Sequence, residues 1–195
     1  MRYRYETPGI ILSRSPSGEA NAFVTLITPG LGLVRARAQG VRRPGAKLAA
    51  ALATFAESSL VLVRGKEDWR VAGAVLEENW FTRIETASSR EVAARVSGLL
   101  LRLVAGEVHD PKLFLIVRGF FEALAPLPFG SPDAGDHHEA AEVLAALRVL
   151  AALGLDAGEI PGEVSEFTPS LLADIREART NYIARINRGI AASGL

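Results

Sequence analysis

The sequence predicts an α+β protein: a small β-barrel in roughly the first 80 residues, then an all-helical domain. Two observations predict it. Short β-branched runs bounded by Gly and Pro turn signals fill Gly9–Glu78, while from Thr86 onward apolar residues recur at helical spacing. Strands first and helices second argue against an alternating parallel sheet.

The strands come in order. GIILS (Gly9–Ser13) is apolar and β-branched, and PSG (Pro16–Gly18) is a turn signal. ANAFVTLIT (Ala20–Thr28) is rich in β-formers, and PGLG (Pro29–Gly32) is a second turn, since Pro fixes φ and Gly supplies positive φ. LVRARAQGV (Leu33–Val41) alternates. Arg35, Arg37 and Gln39 share one face, and Val34, Ala36 and Ala38 the other, because strand side chains point alternately. RRPGAK is a loop, and LAAALATF (Leu48–Phe55) a helical turn or short helix. ESSLVLVR (Glu57–Arg64) is a strand, GKED a turn and WRVAGAVLEE (Trp69–Glu78) the last strand. Five short strands with a helical turn after the third match the oligonucleotide-binding (OB) barrel.

Four helices follow. Ser88–Glu107 carries Val92, Val96, Leu99, Leu100 and Leu103 at helical spacing, with Ser88 and Glu91 in a capping-box pattern. Asp110–Leu124 opens on an Asp N-cap and Pro at N1, and its apolar FLIVRGFF (Phe114–Phe121) reads as core or, where exposed, as a seat for a hydrophobic peptide tail. LPFGSPDAGD (Leu127–Asp136) is a loop. His137–Gly154 is an amphipathic helix closed by Gly. After the irregular DAGEIPGEVSEF (Asp156–Phe167), Thr168 caps a final helix reaching Ile190. The domains are therefore expected at 1–82 and 83–195.

The formal net charge is zero, but its distribution is uneven. Residues 1–56 hold eight basic residues against Glu6 and Glu19, and no acid lies between Ala20 and Ala56. The remainder is correspondingly acidic, which suggests a basic module joined to an acidic one. Cysteine is absent, so disulfides, thiolate metal sites and Cys nucleophiles are excluded. No run approaches the roughly 18 apolar residues of a membrane span, and MRYRYETPGI lacks a signal-peptide core. A cytoplasmic protein without membrane attachment is expected.

Three chemical readings fall away. Gly30 and Gly32 begin a G-x-G, but Arg35 stands where the third glycine belongs and a strand follows instead of a helix. His109, His137 and His138 show no metal-ligand spacing; His137 and His138 fit a solvated first helical turn. No G-x-S-x-G elbow appears, and Glu77–Glu78 fit an exposed strand end, so no enzyme is expected.

The basic stretch remains. Arg35 and Arg37 on one strand face, with Arg42, Arg43 and Lys47 in the loop beyond, form an edge of cations suited to a nucleic-acid backbone. Arg14, Arg64, Lys66 and Arg70 are candidates to extend it. Among nearby aromatics, Phe23, Phe55 and Trp69 compete with Tyr3 and Tyr5 as stacking surfaces; Phe23 and Phe55 read as core. Phosphate tracking is favoured over base reading.

The motifs Gly9–Leu12, Gly18–Glu19, Val24–Ile27, Thr28–Gly32, Ala38–Gly40, Arg42–Lys47 and Leu48–Phe55, in this order, resemble the RecO family of bacterial recombination mediators. RVLAALGL (Arg148–Leu155) and the closing ASGL are similar more loosely. The resemblance implies an OB domain and a helical domain, and binding of single- and double-stranded DNA with annealing of complementary strands. It implies contact with the C-terminal tail of the single-strand DNA-binding protein, and partnership with RecR in loading the RecA recombinase. It also implies a nucleoid-associated location. Many members carry a four-cysteine zinc site in the second domain. This chain has no Cys and is short there, around 155–167, so zinc is not expected and no cofactor is implied. Two further readings stay open: an adaptor whose basic strand grips an acidic partner tail without binding DNA, and a carboxylate hydrolase in the helical half.

Overall fold

The computed structural model describes residues 3–66, 68–104, 110–125 and 134–194. The readings made on Arg2, Glu67, His109, the helix end at Glu107, most of the Leu127–Asp136 loop and Leu195 lie outside them. The chain divides into two compact units: Met1–Thr82 with Gly106–Phe114, and Arg83–Ala105 with Leu115–Leu195.

In the first unit five strands close a barrel: β1 (Arg4–Ser17), β2 (Asn21–Thr28), β3 (Gly32–Ala38), β4 (Ala56–Arg64) and β5 (Trp69–Asn79). Their order around it is β1-β2-β3-β5-β4, the OB topology expected. β1 is far longer than the predicted Gly9–Ser13. Its first half pairs with β4 and its second with β2, and Ile10 belongs to both ladders. Gly9 permits that change of partner: a Cβ there would lie 2.7 Å from Leu60 Cδ1 and 2.9 Å from Leu26 Cδ1. A bulge between Ile11 and Ser13 then shifts the register.

The barrel fills as period-2 alternation dictates. Ala22, Val24 and Leu26 of β2, Val34, Ala36 and Ala38 of β3, and Leu60 and Leu62 of β4 point inward with Ile11 and Trp69. Leu48–Phe55 forms consecutive turns, with one Leu52 N–H to Leu48 carbonyl bond of 3.1 Å, and sends Leu52 into the core. Phe55 closes this segment with the left-handed φ of 66°. Its N–H donates to the Ile11 carbonyl (2.7 Å) and its carbonyl accepts from the Trp80 N–H (3.1 Å). Those two anchors and its buried ring hold a backbone conformation that a bulky residue otherwise avoids. The short helix α1 (Trp80–Arg83), which no sequence signal announced, places the Trp80 indole N–H 2.9 Å from buried Glu57 Oε2.

The second unit is built on α2 (Ala87–Leu103), most of α3 (Pro111–Leu124), α4 (Ala134–Ala152), α5 (Pro169–Glu177) and α6 (Arg179–Ala192). Two helix starts match the expected caps. Asp110 Oδ1 accepts from the Lys112 N–H at 2.8 Å, and Thr168 Oγ1 from the Leu171 N–H. Phe114, Ile116, Val117, Phe120 and Phe121 of α3 are buried, while Leu115 is exposed. Three expectations are corrected. The N-cap of α2 is Thr86 rather than Ser88, because this register buries Ser89, Val92, Ala93 and Val96 together. α4 begins before His137 and is not amphipathic: Ala140, Ala141 and every residue from Val143 to Leu150 are buried, since α2, α5 and α6 all pack on it. The final helix breaks at Ala178, so that α5 and α6 each pack against α4.

The irregular segment Asp156–Phe167 is held by two arginines. Arg148 is 4% exposed; its guanidinium donates to the carbonyls of Pro161 (3.0 Å), Val164 (3.1 Å) and Glu166 (2.6 Å), over the Phe167 ring. Burial pulls its pKa down to about 10, against the pull of Glu166 and Glu163, so the group stays charged at neutral pH. Arg185 pairs with Asp156 and donates to the Glu159 carbonyl at 2.9 Å.

His137 and His138 are half-buried rather than solvated. Burial lowers the pKa of each; a backbone hydrogen bond at Ala123 opposes it for His137, and the neighbouring imidazole adds to it for His138. A histidine with depressed folded pKa stays neutral while the unfolded chain takes up protons, so its contribution is complete above about pH 6.5 and declines as pH falls below that. The helical unit is therefore expected to lose stability as pH falls below about 6.5. A chemical-denaturation series over that range, repeated with His137→Gln/His138→Gln, checks this: the slope should flatten in the variant.

Candidate nucleic-acid interface

The stretch Thr28–Lys47 is a hairpin turn, a strand and a loop. Thr28 Oγ1 accepts from the Leu31 N–H at 2.9 Å and donates to the Gly32 carbonyl at 3.2 Å; Gly32 has φ 66°. This closes the β2–β3 turn on itself with no helix N-terminus behind it, so PGLG is not a phosphate cradle.

On β3 the alternation holds. Val34, Ala36 and Ala38 are fully buried, while Arg35, Arg37 and Gln39 are exposed. The ladders then set the outward neighbours. Arg37 lies beside Phe23 of β2 on one side and Arg70 of β5 on the other. Phe23 in turn lies beside Ser15 of β1, and Arg70 beside Val63 of β4. One row thus crosses the barrel wall as Ser15, Phe23, Arg37, Arg70. A second row is Ser13, Thr25, Arg35. With strands about 4.8 Å apart, Phe23 and Arg70 are roughly 10 Å apart across the row. Arg70 Nη2 donates to Gln39 Oε1 at 3.1 Å, which ties β5 to the end of β3.

The loop beyond β3 is ordered by its own bonds. The Gly40 N–H donates to Asn21 Oδ1 (3.0 Å), and the N–H groups of Arg43 and Ala46 close two successive turns at 3.1 Å each. Arg42 has a structural role: its N–H bonds the Ala20 carbonyl and its Nη1 the Gly18 carbonyl at 2.7 Å, fastening the loop to the β1–β2 turn. Arg43 and Lys47 are exposed on that loop. Arg14 stands apart. The β1 bulge puts it opposite inward-facing Val24, half-buried, with Nη2 on the Val41 carbonyl at 3.3 Å. Arg64 and Lys66 are exposed at the β4–β5 turn, with the Arg64 guanidinium 4.9 Å from the Trp69 ring centre.

The aromatics sort differently from expectation. Phe55 and Trp69 are buried, and Tyr5 meets the Trp69 ring edge-on at 5.2 Å. Tyr3 is exposed. Phe23 is not core. It alternates with inward Ala22 and Val24, lies on the outer wall, and carries the Arg35 guanidinium 4.1 Å above its ring centre. Counting the period along Asn21–Thr28 would have found it; hydrophobicity alone points the wrong way.

One serine–histidine pair is bonded in the helical unit, Ser89 Oγ to His138 Nδ1 at 3.0 Å. Ser89 is buried and lies 2.6 Å from the Thr86 hydroxyl at the α2 N-cap, so this is a capping relay closed to substrate. Among the described residues no helix is long and apolar enough to cross a membrane.

Comparison with known sequences follows the barrel. Residues 1–74 match the family described as Recombination protein O N terminal. The chain is 34% identical over 121 residues to the DNA repair protein RecO of Roseiflexus sp. (strain RS-1), covering 62% of this chain and 42% of that protein. It is 28% identical over 120 residues to the DNA repair protein RecO of Dehalococcoides mccartyi (strain ATCC BAA-2266 / KCTC 15142 / 195), covering 62% and 47%. It is 27% identical over 136 residues to the DNA repair protein RecO of Bifidobacterium longum (strain DJO10A), covering 69% and 57%. These matches span about half the length of each relative. Residues 1–74, which hold most of the barrel, are therefore similar to the recombination protein O N-terminal family, the one the string of motifs resembles.

Proposed function

We propose that this chain is a DNA repair and recombination mediator whose barrel binds DNA. The observation that carries the reading is the outward cluster of Arg35, Arg37 and Arg70 on an OB wall, continued by Arg43 and Lys47 on a loop fixed by Arg42. Such a stripe neutralises successive phosphates without reading sequence. Arg64 and Lys66 lie at the neighbouring turn and extend it; Arg14, tied to Val41, contributes from the flank.

Residues 1–82 act as the DNA-binding domain and residues 83–195 as a helical domain for protein partners. The protein binds single- and double-stranded DNA and anneals complementary strands. With RecR, it helps load RecA on DNA coated by the single-strand DNA-binding protein, whose C-terminal tail it contacts. It acts without catalysing a covalent step, in the cytoplasm at the nucleoid. The names of its relatives and the basic barrel support this reading together.

The test is fluorescence anisotropy of a labelled oligo-dT titrated from low to moderate salt. About five neutralised phosphates on a single strand give a log–log salt slope near −3.5. Tight binding with a slope of that size supports the reading. No binding at low salt overturns it and favours the adaptor that grips an acidic protein tail.

A further inference from the structure

We propose that the Phe23–Arg35 stack is a base-stacking site that makes the barrel discriminate unpaired from paired DNA. This rests on the reading that the barrel binds DNA, and adds to it a chemical group that phosphate tracking does not use.

Phe23 has no part in the barrel interior. Its neighbours along β2, Ala22 and Val24, point inward and are fully buried, while Phe23 stands on the outer wall among cations. Arg35 covers it, with Cζ 4.1 Å from the ring centre. That stacking fixes the guanidinium against the wall by cation–π attraction and withdraws it from the free rotation of an exposed arginine. A guanidinium so held presents a flat polar plane backed by an aromatic ring, and its outer side accepts a nucleobase face. Phe23 also lies next to Arg37 in the outward row, with Arg70 one strand beyond. A strand whose phosphates follow Arg37 and Arg70 brings a base to the stack at the end of the row.

Only an unpaired base has a free face to offer. In a duplex both faces are taken by neighbouring pairs, so the stack adds nothing to duplex affinity, while the arginines still hold the phosphates. The site therefore favours single strands and lets go of that part of its grip once the strand has paired.

The experiment compares three probes of equal length: oligo-dT, an abasic strand with the same phosphates, and a duplex, each with the wild type and with Phe23→Leu. The wild type should bind oligo-dT at least about five-fold more tightly than the abasic strand. In Phe23→Leu that preference should vanish, so that oligo-dT and the abasic strand bind alike. Equal wild-type affinity for oligo-dT and the abasic strand overturns the inference and leaves the DNA-binding reading standing; this comparison needs no variant to fold. A preference that persists in folded Phe23→Leu overturns it too. Wild type that binds none of the three overturns the DNA-binding reading itself, and this inference with it.

Discussion

Reversing both charges in Arg37→Glu/Arg70→Glu is expected to weaken single-strand binding roughly hundred-fold and to leave the barrel folded. The two residues are lateral neighbours on β3 and β5, and both point outward. Each charge-assisted bond from an arginine to a phosphate is worth about 1.5 kcal/mol, so removing two of them costs about 3 kcal/mol. Two fewer neutralised phosphates also flatten the salt slope from about −3.5 to about −2. The fold should tolerate the double change, since like charges face each other before and after it. Gln39, which now accepts from Arg70, can turn its amide and donate to the new carboxylate. The single variant Arg37→Glu is the sharper companion. It sets opposite charges side by side across the β3–β5 pair, so the barrel should gain a few tenths of a kcal/mol while DNA affinity falls. Stability and binding then move in opposite directions, which a mere folding defect does not produce. Unchanged affinity in the folded double variant would move the DNA path off this wall.

Arg148→Met is expected to destabilise the helical unit by about 3–5 kcal/mol, the largest effect of any single change considered. Methionine replaces the aliphatic stem, so the effect is chiefly polar. The carbonyls of Pro161, Val164 and Glu166 are deprived of a buried charged donor at 2.6–3.1 Å. Arg148→Lys should recover only part of it, because an ammonium cannot fork toward three carbonyls. The damage should be local first. Asp156–Phe167 has no helix or strand of its own, and only Arg185 would remain of the two arginines that fasten it. Cleavage by a glutamate-specific protease at Glu159 and Glu163 should accelerate well before the helices melt. A stability within about 1 kcal/mol of wild type, with unchanged cleavage, would show that the arginine merely fills space there.

Much of the barrel was legible because period-2 alternation is a local signal. Val34, Ala36 and Ala38 against Arg35 and Arg37 needs only the residues of one short strand. The same rule, applied to β2, places Phe23 outside. The orientation of Arg14 was not legible, because the bulge after Ile11 shifts the phase of β1 and carries no residue signature. The juxtaposition of Arg37 and Arg70 depends on barrel closure between strands far apart in the chain, which no window of sequence contains. Among the helices, the caps at Asp110 and Thr168 announced themselves. The break at Ala178 did not, since neither Gly nor Pro marks it. Arg148 stood in an apolar helix without any sign of the three carbonyls it would meet.

The closure of the barrel has a last consequence. Among the described residues β3 and β5 pair at Ala36–Trp69 and Arg37–Arg70 alone, whereas every other neighbouring pair of strands shares at least seven positions. The seam is thus where amide hydrogens should exchange first, and two repelling guanidinium groups sit on it. A polyanion laid over both relieves that repulsion and draws the edges together. Binding and closure are then linked, and linkage is reciprocal: whatever tightens the seam prepares the wall for its ligand, and the ligand in turn slows exchange at Arg37 and Arg70.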